Sequence, residues 1–115
     1  MPAKVTITSI EALPARELAQ GVTIKPLAGQ HVMLNYVRLA PDAEVRRHTH
    51  DHEQLGLVLE GEMHMHIGDE QRTLRPGDTF VIPGGVPHSG RAGKSGALAL
   101  DVFYPLREDY LKLFA

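Results

Sequence analysis

Hydrophobic residues in this chain fall in short runs, most of them alternating with polar residues, and glycine, proline and acidic turn formers cut the runs apart at close intervals. The β-prone runs are Val5–Ile10, Val22–Pro26, His31–Leu39, Leu55–Leu59, Met63–Ile67, Thr79–Ile82 and Ala97–Tyr104. Between them lie Ala28-Gly29, Pro41-Asp42, Glu60-Gly61, Gly68-Asp69, Pro76-Gly77-Asp78 and Pro83-Gly84-Gly85. An alternating run buries one face and wets the other, and closely spaced turns fold successive runs back on each other, so the pattern predicts an all-β sandwich or small barrel. Helix is confined to a turn at Ala15–Ala19 and a closing segment Arg107–Phe114, where Leu106, Tyr110, Leu113 and Phe114 recur three or four residues apart.

Composition narrows the classes. With 115 residues, 43% hydrophobic and 23% charged, the chain is expected to form one domain, residues 1–115, with a real core. Cysteine is absent, which excludes disulfides and thiolate metal sites. Twelve basic residues against 14 acidic ones, a net charge of −2, provide no basic stripe for a phosphate backbone, so no nucleic-acid partner is expected. No apolar run reaches signal-peptide or membrane-spanning length, which points to a cytoplasmic protein without a membrane partner. The unusual count is seven histidines.

Four potential ligands converge on one argument. In His48-Thr49-His50-Asp51-His52-Glu53-Gln54, positions 48, 50, 52 and 54 share parity, so on an extended segment they project to one face. His48 and His50 can bite one ion, Gln54 continues the row, and a further donor must come from a distant segment. His88, after the rigid Pro83-Gly84-Gly85-Val86-Pro87 stretch, is the leading candidate. His64 and His66 alternate with Met63, Met65 and Ile67, so their rings are expected to face solvent or a partner. His52 is read as a neighbour of the site, and His31 carries no signal of its own.

These spacings resemble the cupin superfamily, whose motifs read G(x)5HxH(x)3–4E(x)6G and G(x)5PxG(x)2H(x)3N. Here the first motif spans about residues 42–61, with His48, His50, Gln54 and Gly61 in place; the second spans about 77–92, with Gly77, Pro83, Gly85 and His88. Asp42, Gln54 and Ala92 stand where the family has Gly, Glu and Asn. The resemblance implies a single-domain jelly-roll β-barrel with a short C-terminal helical segment, holding one divalent first-row transition metal (Ni, Zn, Fe, Mn, Co or Cu) on His48, His50, Gln54 and His88. An amide in place of the carboxylate leaves the ion's charge uncompensated, which favours a small anionic substrate.

The last strand supplies a second group. Ala97, Ala99, Asp101 and Phe103 share one face, and if that face lines the barrel, Asp101 is a carboxyl in an apolar cavity suited to proton transfer. The alternative is an edge-strand Asp paired with a surface cation. The stretch Asp101-Val102-Phe103-Tyr104-Pro105-Leu106-Arg107-Glu108-Asp109-Tyr110 is similar to that of the KdgF-type small cupins of pectin and alginate catabolism. That likeness implies assisted opening of 4,5-unsaturated monouronates, sugar acids, to linear keto acids, with Asp101, Phe103 and Arg107 catalytic. A metal-dependent dioxygenase and a non-catalytic carbohydrate-binding cupin use the same pocket and stay open. Single-domain cupins resemble one another in dimerising, and the run Val5–Ile10 has no partner nearby, so a homodimer is expected.

Overall fold

The computed structural model describes residues 4–115. In chain order these form β1 (Arg16–Ala19), β2 (Val22–Ala28), β3 (Met33–Leu39), β4 (Glu44–His48), β5 (Glu53–Ile67), β6 (Glu70–Leu74), β7 (Thr79–Ile82), β8 (His88–Tyr104) and α1 (Glu108–Lys112). All pairings are antiparallel. The sheet runs β1-β2-β3-β8-β5-β6, with β4 added against β8 and β7 against β5. The C-terminal half of β8 lies between β3 and the start of β5, while its N-terminal half lies between β4 and the end of β5. The two long strands thereby close the sheet into a barrel.

Inward positions follow the strand period of two. Val22 and Ile24 on β2, Met33, Val37 and Leu39 on β3, Val58 on β5, Ile82 on β7 and Ala97, Ala99 and Phe103 on β8 are all buried. Each large side chain among them contributes roughly 1.5–3 kcal/mol by leaving water. Tyr110 of α1 joins this core and caps it. No helix among the described residues is long and apolar enough to cross a membrane.

Several expected elements differ. Val5–Ile10 forms no strand, and Val5 and Ile7 are each 93% exposed; its alternation suits a strand, but no strand edge among the described residues receives it. Ala15–Ala19 is not a helical turn but contains β1, which pairs Arg16 with Ile24 and Glu17 with Thr23. A helix this short is marginal alone, whereas a tight turn at Gly21 delivers the segment to an open edge. The helical segment Arg107–Phe114 narrows to Glu108–Lys112. Asp42, in the place of the first motif's glycine, adopts φ 60°, a left-handed conformation that Asp tolerates.

Glu60-Gly61 is no turn either. It lies inside β5, where the register against β8 slips between Val58 and Glu60 and again between Gly61 and Met63, so the strand bends without ending. Gly61 has φ 73°, and a Cβ there would lie 2.0 Å from the carbonyl oxygen of Gly96. Gly77 has φ 94° with nothing within 4 Å of the same position. Gly77→Ala should therefore lose only the left-handed strain, about 1–2 kcal/mol, while Gly61→Ala adds a backbone collision and should lower the thermal midpoint distinctly further. Equal midpoints in calorimetry would remove the bulge argument.

Candidate metal centre

β4 ends at His48 and β5 begins at Glu53, so the row from His48 to Gln54 is not one extended strand but a corner. The histidines meet because this corner docks on the loop that precedes β8. The Gly85 N–H donates to the His50 carbonyl at 2.8 Å, and a Cβ on Gly84 would lie 2.3 Å from the Asp51 carbonyl oxygen, so only glycine lets the two backbones approach. His88 then opens β8 directly opposite His48. Ring centroids lie 4.3 Å apart for His48 and His88, 4.8 Å for His50 and His88 and 5.6 Å for His48 and His50. One ring nitrogen from each of the three falls within 4.8 Å of the others, a group suited to a metal ion.

The second ring nitrogens explain the orientation. Nδ1 of His48 donates to the Arg46 carbonyl at 2.7 Å, Nδ1 of His50 to His52 at 3.1 Å and Nδ1 of His88 to Val86 at 2.9 Å. A neutral imidazole carries one N–H, so these bonds leave each Nε2 as a lone pair facing the centre. His88 Nε2 is buried without a partner. Gln54 Oε1 lies 3.0 Å from His50 Nε2, two acceptors face to face, an arrangement that a cation between them reconciles. Burial first, then Arg107 and His88, lowers the His50 pKa to about 4, and burial likewise lowers that of His88. Both rings are thereby held neutral, as metal binding requires.

Asp101 faces a cavity of about 60 Å³ together with His48, Gln54, His88, Phe103 and Tyr110. Desolvation pushes its pKa up to about 7, although a hydrogen bond with Gln54 and the charge of Arg107 pull the other way. Phe103 presents its edge to His50 at 5.7 Å. Arg107 is buried and lies 4.0 Å over the Tyr110 ring and 5.1 Å from that of Phe103. Its fork is engaged by Asp109, through Nε to Oδ1 at 3.0 Å and Nη2 to Oδ2 at 2.8 Å, leaving Nη1 without a hydrogen-bond partner among the described residues. Asp109 and Tyr110 were not legible as site residues; the signal for them is their place two and three residues after the arginine at the start of a helix. A wider groove of about 860 Å³, lined by His48, Arg46, Arg107 and Tyr110, runs outside the barrel.

The remaining histidines divide. His52 donates from Nε2 to the Leu106 carbonyl at 3.2 Å and stacks edge-on to His50 at 5.5 Å, beside the three-histidine group and outside it. His64 turns away from the barrel to Thr73 at 3.0 Å and Glu62 at 3.5 Å, and His66 is half-buried between buried Met65 and half-buried Ile67. His31 is exposed.

Comparison with known proteins agrees with this geometry. The Cupin_2 family, described as cupin domain, matches residues 35–103. The pectin degradation protein KdgF of Dickeya dadantii (strain 3937) is 30% identical over 100 residues, 85% of this chain and 91% of that protein. The H2HPP isomerase of Bacillus subtilis is 38% identical over 61 residues, 52% of this chain but only 25% of that protein. Among solved structures, KdgF from Halomonas sp. superposes with a TM-score of 0.87 at 28% identity, covering 93% of this chain and 99% of its own. An RmlC-like cupin from Shewanella frigidimarina gives 0.87 at 27% identity, covering 96% and 99%. A family match over most of the chain, on a barrel whose opening gathers three imidazoles, makes this protein a member of the cupin family.

Proposed function

We propose that this cupin is a metal-dependent isomerase that opens 4,5-unsaturated monouronates to linear keto acids. The observation that carries the reading is the Asp101 carboxyl: in the cavity, against Gln54 and facing the histidines, its pKa of about 7 lets it both take and release a proton near neutrality. The substrate class is supported by the relative described as a pectin degradation protein, and the reaction type by the one described as an isomerase. In this reading Nε2 of His48, His50 and His88 and Oε1 of Gln54 hold one divalent first-row transition metal, which when bound supplies Lewis-acid stabilisation of negative charge on substrate oxygens.

The chain's own groups do the rest. Ring opening takes the proton from the C1 hydroxyl as the bond from C1 to the ring oxygen breaks, and ketonisation of the resulting C5 enolate places a proton on C4. Asp101 accepts the first and delivers the second, so one proton moves and no redox partner is needed. Gln54, a neutral donor, adds no negative charge, which favours an anionic substrate. Arg107 Nη1 is the free donor for the substrate carboxylate, while Asp109 keeps the guanidinium flat against Tyr110. The interior cavity has room for a few water-sized groups only, so a sugar acid reaches the site from the outer groove. We also take the protein as a homodimer. Leu55, Val81 and Tyr104 stand exposed on the outer face of β5, β7 and β8, and a second copy offers the same apolar face.

Elemental analysis should find one metal per chain, lost in His50→Ala and His88→Ala and kept in His64→Ala and His66→Ala; metal retained in the first pair removes the ligand set. In an acid titration followed by elemental analysis, proton competition at His50 should contribute to metal loss only as pH falls toward about 4. In a UV assay following the conjugated enol ether of unsaturated galacturonate, Asp101→Asn should lower turnover by about 10²–10⁴-fold with metal unchanged. Wild-type turnover in that variant, or none in the metal-loaded wild type, overturns the isomerase reading. Light scattering at micromolar concentration should give a dimer mass, and a monomer mass excludes the assembly.

A further inference from the structure

Asn35 is fully buried, and neither its Oδ1 nor its Nδ2 has a partner among the described residues. It sits mid-strand on β3, between inward Met33 and Val37, so its amide points into the barrel. Its cross-strand neighbours are Pro26 on β2 and Asp101 on β8. Pro26 offers no polar side chain, which leaves Asp101 as the polar side chain that Asn35 faces in this row.

The strand neighbours of Asp101 are otherwise apolar. Along β8 its inward neighbours are Ala99 and Phe103, and across from it on β5 is Gly56, whose inward side is filled by the Phe80 ring, 2.0 Å from where a Cβ would stand. Gln54 is the side chain whose hydrogen bonding acts on its carboxyl, and the two line one cavity. A carboxyl beside a void is free to turn. An orphaned buried amide is destabilising, and an apolar residue of similar shape would avoid that cost. The barrel nevertheless carries an amide at the position opposite this carboxyl.

We propose that Asn35 is a positioning residue: when ligand occupies the site, its amide turns onto Asp101 and, with Gln54 on the other side, fixes the carboxyl in the orientation for proton transfer. This rests on the uronate reading above. A modest rotation about the Asn35 side chain is all that the contact needs, because the two residues are already paired across β3 and β8.

Two measurements test it. Asn35→Leu removes the orphan amide, so its thermal midpoint should equal or exceed wild type, with metal content and KM held within about 2-fold, while kcat falls at least about 10-fold; Asn35→Thr, which keeps a hydrogen-bonding group, should recover most of the loss. Wild-type kcat in a folded Asn35→Leu overturns the proposal. Independently of turnover, the Asn35 side-chain amide resonances of the metal-loaded wild type, identified by their loss in Asn35→Leu, should move downfield on saturation with D-galacturonate and stay in place in Asp101→Ala. If other resonances move with galacturonate and those of Asn35 do not, the positioning role falls while the uronate reading stands. If neither turnover nor galacturonate binding is found, both fall together.

Discussion

Strands β5 and β8 are paired from Glu53 opposite Tyr104 to Ile67 opposite His88, and nearly every chemically distinctive side chain is carried by one of them or by a segment held against them. β8 contributes His88 at one end and Asp101 and Phe103 toward the other, while β5 contributes Gln54. Because the strands bend at the slips around Glu60 and Gly61, one pair of strands serves both walls of the barrel. The register decides the site: Gln54 opposite Phe103 sets the amide one inward step from Asp101. A slip of one residue would turn both inward rows outward.

The electrostatics of the pocket follow from what is absent as much as from what is present. With Gln54 where the family's motif has a carboxylate, the side chain beside His50 is a neutral amide, and the buried cation nearby, Arg107, further disfavours protonation of the His50 ring. Asp109 neutralises Arg107 from the solvent side, which lets the guanidinium remain buried against Tyr110. Asp101 is thereby the carboxyl left inside, and desolvation rather than a neighbouring anion raises its pKa. An anion entering this pocket meets a cation, neutral donors and a carboxyl that is easily protonated.

Buried polar atoms without partners are rare in folded proteins. In this chain, among the described residues, they belong to His88, His52, Arg107 and Asn35, all at or one step from the same pocket. The core elsewhere is built from valine, isoleucine, methionine and leucine and leaves nothing comparable. Unsatisfied groups gathered in one place cost stability that the apolar core offsets, and they mark where the molecule is completed by something it binds.

Sequence alone determined the all-β class, the extent of strands such as Thr79–Ile82, the histidines that meet and the outward aspect of His64, because alternation and turn chemistry are local properties that survive in any fold consistent with them, whereas alternation left Asp101 open between the barrel interior and an edge. It misjudged elements whose state depends on a distant edge. Arg16–Ala19 is a strand because β2 offers hydrogen bonds, Val5–Ile10 is none because no edge among the described residues receives it, and Glu60-Gly61 bends β5 because β8 continues alongside. Tertiary structure alone decided that His48 to Gln54 converge through a corner seated on Gly84 and Gly85, that Asp109 occupies the Arg107 fork, and that Asn35 faces Asp101 with nothing to bind. Each of these is a contact between segments far apart in the chain or a competition for one donor, and periodicity along a chain carries no information about which distant partner wins.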